Sequence, residues 1–178
     1  VLYGPPGSGK STVLNILELL FQGYTTTFDA GALGSKSDQF ATSSLGKSSL
    51  VAIDQDGDLS RIESNGLLNS IVAHETILIN EKGVRRYPKR INAILFVGTN
   101  KPVKITDSKS GIIRRLIDIS PTGNKLDVSE YQTLMTQVRD ELGRIANHCL
   151  GVYRSLGKHY YDAYKPQDMM LRTNVLYN

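Results

Sequence analysis

The chain has 178 residues, of which 40% are hydrophobic and 21% are charged, with a formal net charge of +4. This length is enough for one α/β domain with a buried core, and the small positive charge permits nucleic acid binding without requiring it. The one cysteine, Cys149, excludes an internal disulfide and favours a reducing, cytoplasmic location, and no apolar run approaches the roughly 20 residues of a membrane span.

The first motif is a glycine-rich loop at the start of the chain. Val1-Leu2-Tyr3 has the character of a strand end, and it is followed by Gly4, four further residues and Gly9-Lys10-Ser11. Glycines let successive N–H groups turn toward a phosphate, and the helix that follows adds the positive end of its dipole. Lys10 is expected to reach the β- and γ-phosphates of ATP, and the Ser11 hydroxyl to ligate Mg²⁺. The predicted nucleotide-binding residues are Gly4, Pro5, Pro6, Gly7, Ser8, Gly9, Lys10, Ser11 and Thr12.

Helices and strands are predicted to alternate after this loop. Only three residues precede Gly4, fewer than the roughly five of a usual strand, so we expect a fragment of a longer polypeptide, with its core truncated at the N-terminus. Apolar residues at helical spacing predict a first helix that Gly23 ends, and Tyr24–Phe28 is predicted to be a short strand. Residues 31–48 are predicted to be a loop with one short helix at most, and Arg61–Ala73 is predicted to be a helix.

A second buried strand ends in acidic residues. Leu50-Val51-Ala52-Ile53 is a continuous apolar run, typical of a parallel strand buried on both faces, and Asp54-Gln55-Asp56 follows it. Ligands bind at the carboxyl ends of such strands, so Asp54 is expected to be the Mg²⁺-side carboxylate, in the Walker B role. Gln55 stands where many ATPases have the glutamate that orients the attacking water. Asp56 is the candidate to replace that glutamate, and the alternative is that Asp56-Gly57-Asp58 is only a turn.

A basic hairpin is predicted next. Thr76–Asn80 and Val84–Arg90 are β-like runs around a Lys82-Gly83 tip, and Pro88 confines the second run to a sheet edge or ends it. On an exposed hairpin the basic residues would contact nucleic acid phosphates, and Tyr87 could stack on a base. The alternative is an edge strand that uses charge to prevent aggregation. The basic residues are Lys82, Arg85, Arg86, Lys89 and Arg90.

Two more strands are predicted before the C-terminal helices. Asn92–Asn100 has the composition of a buried strand, and the terminal amide of Asn100 would lie where it can bind the γ-phosphate or the attacking water, as a sensor. Arg114 and Arg115 precede a fifth predicted strand, Ile117–Ser120. This arginine pair is either a surface ion-pair partner or a source of a guanidinium for the γ-phosphate on a neighbouring subunit.

From Asp127 onward the chain is predicted to be helical, as one long helix or two short ones with Asp127 or Ser129 as N-cap. The three histidines, His74, His148 and His159, show no metal-ligand spacing with the cysteine, so no zinc site is predicted. An apolar stripe at spacings of three and four is expected to face the core, with the cysteine as a small core residue. The stripe consists of Leu134, Val138, Leu142, Ile145, Cys149, Val152 and Leu156.

In their order, these parts resemble the superfamily 3 helicases of the AAA+ class, and most of all the primase-helicases of phages, plasmids and large DNA viruses. The resemblance covers roughly residues 1–120 by motif and extends more loosely to the end. It implies a P-loop NTPase fold: an AAA+-like three-layer α/β/α sandwich with a mainly parallel five-stranded sheet, a β-hairpin insertion and a C-terminal helical segment. Residues 1–122 would form the ATPase core, and residues 123–178 the helical segment packed on it.

The resemblance also implies roles for single residues. Lys82 would contact DNA in the channel of a ring, Asn100 would be the sensor, and Arg115 matches the arginine finger better than Arg114 does. Gln55 departs from the family, which more often has an acidic residue near the Walker B aspartate. The predicted catalytic residues are Lys10, Asp54, Asp56, Asn100 and Arg115, the Mg²⁺ ligands are Ser11 and Asp54, and the DNA-binding residues are Lys82, Gly83, Arg85 and Arg86.

The function implied is an ATP-dependent DNA helicase motor that works as a hexameric ring on single-stranded or forked DNA. It would replicate a phage, plasmid or virus-like element in the cytoplasm of a bacterium or an infected host, and a primase domain could precede it on the full-length chain. One alternative is a P-loop kinase of small molecules or nucleotides. The other is an AAA+ module that binds ATP to assemble without unwinding DNA.

Overall fold

The computed structural model describes residues 1–59, 62–101 and 115–159. Its elements are β1 (Leu2–Tyr3), α1 (Lys10–Leu20), β2 (Thr25–Thr27), α2 (Ala30–Leu33), β3 (Val51–Asp54), α3 (Gly66–Val72), β4 (Thr76–Ile79), β5 (Tyr87–Arg90), β6 (Ile94–Thr99), α4 (Val128–Asp140) and α5 (Leu142–Leu156), with 3-10 helices at Ser43–Gly46 and Gly157–His159. The chain is therefore a mixed α/β protein. Arg114 and Arg61 lie outside the described residues. The helix predicted from Arg61 begins only at Gly66, because the N–H groups of Glu63 and Ser64 donate to the carbonyl of Gly34 instead.

The main sheet is parallel and has four strands in the order β1-β6-β3-β2. The parallel sheet is as predicted, but the expected fifth strand is reduced to one bridge between Ile119 and Leu2, on the outer side of β1. Ile119 accepts a hydrogen bond of 3.0 Å from the N–H of Tyr3. The ladder ends there because Pro121, two residues on, has no N–H to donate.

Two separate cores lie on the two faces of this sheet. Val51 and Ile53 of β3 pack with Leu14 of α1 on one face. Ala52, which points the opposite way because side chains alternate along a strand, belongs to a larger core that α2, α3 and the hairpin share. Both faces of the sheet are therefore covered, as the apolar run in this strand predicts.

The hairpin forms its own antiparallel sheet. Thr76 pairs with Arg90 and Ile79 with Tyr87, which confirms the predicted pairing of the two runs. The second strand begins at Tyr87 instead of Val84, because the N–H of Val84 donates 3.2 Å to the carbonyl of Glu81 in a tight turn. Residues 80–86 are consequently a loop.

Two helices separated by Glu141 follow the sheet. Asp127 is the N-cap of α4 and forms a capping box with Glu130, whose N–H lies 2.9 Å from the Asp127 carboxylate. The prediction that the apolar stripe faces the core is wrong: neither helix has a buried residue, and Cys149 is exposed. The physical reason is that α5 contacts α4 and α1, with no further layer described over the two helices. Of the helices described, none is both long and apolar enough to cross a membrane.

Candidate functional site

The glycine-rich loop connects β1 to α1 at the carboxyl edge of the parallel sheet. Gly7 and Gly9 have φ values of +76° and +91°, a conformation that glycine adopts without steric cost. Gly9 is the N-cap of α1. The N–H of Gly4 donates 3.2 Å to the carbonyl of Thr99, which fixes the start of the loop against β6. The first turn of α1 carries the predicted ligands Ser11 and Thr12.

Lys10 is buried, with 7% of its surface exposed. Its ammonium group donates hydrogen bonds to the carbonyl oxygens of Gly4 at 2.8 Å and of Pro5 at 2.9 Å, and it lies 3.4 Å from Ser8 Oγ. A buried ammonium group requires acceptors of this kind, so these contacts hold the charge inside the curve of the loop. A phosphate that entered the loop would meet this charge.

Asp54 ends β3 with its carboxylate held by the backbone. Oδ2 accepts the N–H of Ala30 at 2.8 Å, and Oδ1 accepts the N–H of Asp56 at 3.2 Å. Burial raises the pKa of Asp54 above its ordinary value; the two N–H bonds oppose the shift, and the charges of Asp29 and Asp56 add to it. A cation nearby would favour the ionised form.

The side chains and loop N–H groups at this edge of the sheet suit Mg²⁺ together with a phosphate. Strand β6 lies between β1 and β3, so the glycine-rich loop and Asp54 follow strands about 10 Å apart. Mg²⁺ in phosphate sites takes one or two protein ligands and completes its shell with phosphate oxygens and water. Within the described ranges, no group of three or more His, Cys, Asp or Glu forms a metal site of its own.

Asp56 and Asn100 are brought together. Nδ2 of Asn100, the residue after β6, donates 3.3 Å to Oδ1 of Asp56. Gln55 turns the other way: its Nε2 donates 2.9 Å to Oδ1 of Asn15 on α1, one turn beyond Ser11. Asp56 is thus joined to the predicted sensor, whereas the side chain of Gln55 is bound to the helix.

Gly98 is a site residue that the sequence reasoning missed. A Cβ at this position would lie 2.7 Å from the carbonyl oxygen of Gln55 and 3.0 Å from Leu14 Cδ1. The carbonyl of Gly98 also accepts the N–H of Gly57 at 2.8 Å. The turn that carries Asp56 therefore rests directly on β6, and a glycine within an apolar strand was the available signal.

A segment outside the predicted site runs beside the glycine-rich loop. After Ile119 pairs with Leu2, Pro121 Cδ lies 3.5 Å from where a Cβ of Gly4 would be. Lys125 follows: a Cβ on Gly7 would lie 3.4 Å from its Cε and 3.6 Å from its Nζ. No motif marks Lys125, so only the fold reveals its position.

Arg115 is exposed and lies away from the glycine-rich loop of its own chain. Residues 117–119 run parallel to β1, with the carbonyl of Ile117 bonded to the N-terminus of Val1. Arg115 precedes them, at the amino end of the sheet. The four residue-to-residue steps from Ile117 to Pro121, which lies beside the loop, span about 13 Å. The structure therefore does not bring Arg115 to the other predicted catalytic residues.

The basic tip of the hairpin, residues 82–86, is exposed and includes the predicted DNA-binding residues Lys82, Gly83, Arg85 and Arg86. As far as the structure describes the chain, the three cations there form no ion pair. The ring of Tyr87 is not exposed for stacking on a base. Its hydroxyl donates 2.6 Å to Glu81 Oε1, which raises the pKa of Tyr87, and its half-buried ring packs against the core.

Comparison with known proteins identifies a family and a fold. A family described as "Family of unknown function (DUF5906)" matches residues 2–115, which include the glycine-rich loop, Asp54, the hairpin and Arg115. No curated protein matches the chain. The apo A form of the NrS-1 C-terminal region is similar in structure, with a TM-score of 0.56 at 19% identity over 79% of this chain. This chain spans 33% of that one, and the likeness shows a shared fold.

Proposed function

We propose that this chain, which belongs to the family of unknown function DUF5906, is the ATPase motor of a DNA helicase. The observation that carries the proposal is the convergence of three features at one edge of the parallel sheet. These are a glycine-rich loop around the buried Lys10, the carboxylate of Asp54, and the hydrogen-bonded pair of Asp56 and Asn100. Ligands of open α/β sheets bind at this edge.

Each group has a role in ATP hydrolysis. The loop N–H groups and the Lys10 ammonium would bind the β- and γ-phosphates, with oxygens of the nucleotide replacing the carbonyls of Gly4 and Pro5 as acceptors. Ser11 and Asp54 would hold Mg²⁺, which neutralises phosphate charge when it is bound. Asp56 would accept a proton from the attacking water, and the Asn100 amide would orient that water.

The hairpin and Arg115 support an assembly on DNA. An exposed tip with three cations suits the phosphates of a single strand or fork. Arg115 lies at the opposite end of the sheet from the loop, so a finger role requires the ATP of a neighbouring subunit. The proposed form is a hexameric homo-oligomeric ring that serves phage, plasmid or viral replication in the cytoplasm, with a primase domain possible on the full-length chain.

One observation favours a second function. Because Gln55 is bonded to Asn15, the position of the usual catalytic glutamate holds an amide that is already occupied. A chain of this kind could bind ATP to assemble without hydrolysing it. A small-molecule kinase has no such observation in its favour.

ATP turnover measured with and without single-stranded DNA tests the proposal. Turnover that DNA stimulates and that Lys10→Ala abolishes is the expected result, and Lys158→Ala, an exposed lysine beyond α5, is the matched control. Binding of ATP without turnover would favour the assembly module. Phosphate transfer to an acceptor, independent of DNA, would favour the kinase.

A further inference from the structure

We propose that Lys125 is a second cation for the phosphates of the nucleotide, brought to the glycine-rich loop by the segment that leads into α4. The inference rests on the proposed ATP site and adds a residue to it. The class of ligand is a nucleoside di- or triphosphate, since the only part of a nucleotide that an ammonium group beside this loop can recognise by charge is the phosphate chain.

Three positions along one segment place Lys125 beside the loop. Residues 119–125 follow the chain from β1 into the loop: Ile119 lies opposite Leu2, Pro121 against Gly4, and Lys125 against Gly7. The approach of Lys125 is therefore a consequence of the backbone path. Gly7 has a positive φ, so Lys125 approaches the part of the loop where the backbone curls.

The charges around the loop give Lys125 a distinct role from Lys10. The ammonium group of Lys10 is buried and bonded to carbonyls of Gly4 and Pro5. Lys125 is exposed and, within the part of the chain that the structure describes, forms no ion pair. Its hydrated ammonium group can turn to a phosphate oxygen without breaking such a pair.

The position of Lys125 also connects the loop to the C-terminal helices. Asp127, two residues on, caps α4 through its bond to the N–H of Glu130. A phosphate contact to Lys125 would hold the start of α4 against the nucleotide. Nucleotide occupancy would then restrain both the loop and the first turn of this helix.

Binding of a fluorescent ATP analogue to four variants tests the inference. Lys125→Ala should bind about fivefold more weakly than wild type, the effect of one partly exposed ionic contact, and Lys125→Arg should restore most of the affinity. Lys47→Ala should bind like wild type, because this exposed lysine lies near the amino end of β3. Lys10→Ala should lose most binding.

Chemical protection supplies a second readout that a folding defect does not change. ATP should protect Lys125 of the wild-type chain from acylation by an amine-reactive reagent, quantified by mass spectrometry, and should leave Lys47 unprotected. The inference is wrong if Lys125→Ala binds the analogue with wild-type affinity and ATP does not protect Lys125 from acylation, while Lys10→Ala still fails to bind. If Lys10→Ala binds like wild type, the proposed ATP site itself is wrong.

Discussion

Asp54 shows how burial and hydrogen bonding compete at a single carboxyl group. Two backbone N–H donors favour its ionised form, yet its pKa is raised because burial outweighs them. A carboxyl group with a higher pKa in the folded state binds its proton more tightly there than in the unfolded chain. Ionisation of Asp54 therefore lowers the stability of the protein as the pH rises above the ordinary value of 3.8.

The first prediction follows from this sign. The free energy of unfolding of wild type, relative to Asp54→Asn, should fall as the pH rises from 3.8 through the raised pKa, and should be constant above it. Urea denaturation over a series of pH values, without Mg²⁺ or nucleotide, measures this difference. A free-energy difference that grows with pH would mean that the N–H donors of Ala30 and Asp56 lower the pKa of Asp54 more than burial raises it.

The bond between Asn100 and Asp56 leads to the second prediction. Because the two side chains are joined at 3.3 Å, they should act on the water as one unit. Asp56→Ala and Asn100→Ala should each lower kcat by about 100-fold, and the double variant should lose little more than either single variant. Steady-state ATP hydrolysis at saturating nucleotide checks this.

Asp58→Ala is the matched control for this cycle, since Asp58 lies two residues beyond Asp56 and forms an exposed ion pair with Lys101. It should keep wild-type kcat. Strictly additive losses in Asp56→Ala and Asn100→Ala would show that the two residues act independently.

At the scale of elements, the close approach of β6 to the turn after β3 controls the geometry of the site. The third prediction is that Gly98→Ala destabilises the protein by about 1–3 kcal/mol, because the new Cβ would meet the carbonyl of Gln55. Turnover should fall as well, since the turn carries Asp56. Gly151→Ala is the control: a Cβ added to this helical glycine would meet nothing within 4 Å beyond its own helix backbone, and alanine there should stabilise by about 0.5–1 kcal/mol. Thermal unfolding measures the change in stability, and parallel ATPase assays measure the change in turnover.

Most elements near the site could be predicted from the residues, for physical reasons that differ between them. The apolar run before Asp54 is typical of a parallel strand buried on both faces, so the edge that carries Asp54 and Asn100 followed from the pattern. The orientation of Gln55 toward Asn15 could not be predicted, since it depends on the tertiary packing of α1 beside β3. Periodicity also could not show that Cys149 is exposed, because an amphipathic stripe looks the same whether a full core or one neighbouring helix covers it.

The fourth prediction concerns the hairpin. Replacing Lys82, Arg85 and Arg86 together by alanine should weaken single-stranded DNA binding and reduce the slope of log affinity against log salt by about 2, near 0.7 for each phosphate that is no longer neutralised. Fluorescence anisotropy between low and high salt measures the slope. The matched control removes three exposed cations of the C-terminal helical segment, Arg144, Arg154 and Lys158, and should leave the slope unchanged. An unchanged slope in the hairpin variant would exclude its tip as the DNA-binding surface.

At the scale of the whole molecule, the proposed finger role of Arg115 requires two subunits, because Arg115 lies away from the loop of its own chain. The fifth prediction is that Arg115→Ala and Lys10→Ala are each inactive alone but recover ATPase activity when mixed. With random assembly, about a quarter of the sites would combine an intact loop with an intact finger from its neighbour. Recovery is measured as turnover against mixing ratio, with light scattering to follow the assembly. No recovery in mixed rings would assign the finger to another residue.

The position of β1 also determines when the glycine-rich loop can form during synthesis. This strand has only two residues, and it is held between Gly98 of β6 and Ile119, both of which follow it by most of the length of the sheet domain. Contacts so distant along the chain are made only after their loop-closure entropy has been overcome. The ribosome therefore releases the glycine-rich loop before the residues of β6 and Ile119 that hold β1. Binding at the proposed nucleotide site would consequently report that the sheet is complete, and a nascent chain that ends before residue 98 would have the motif without the site.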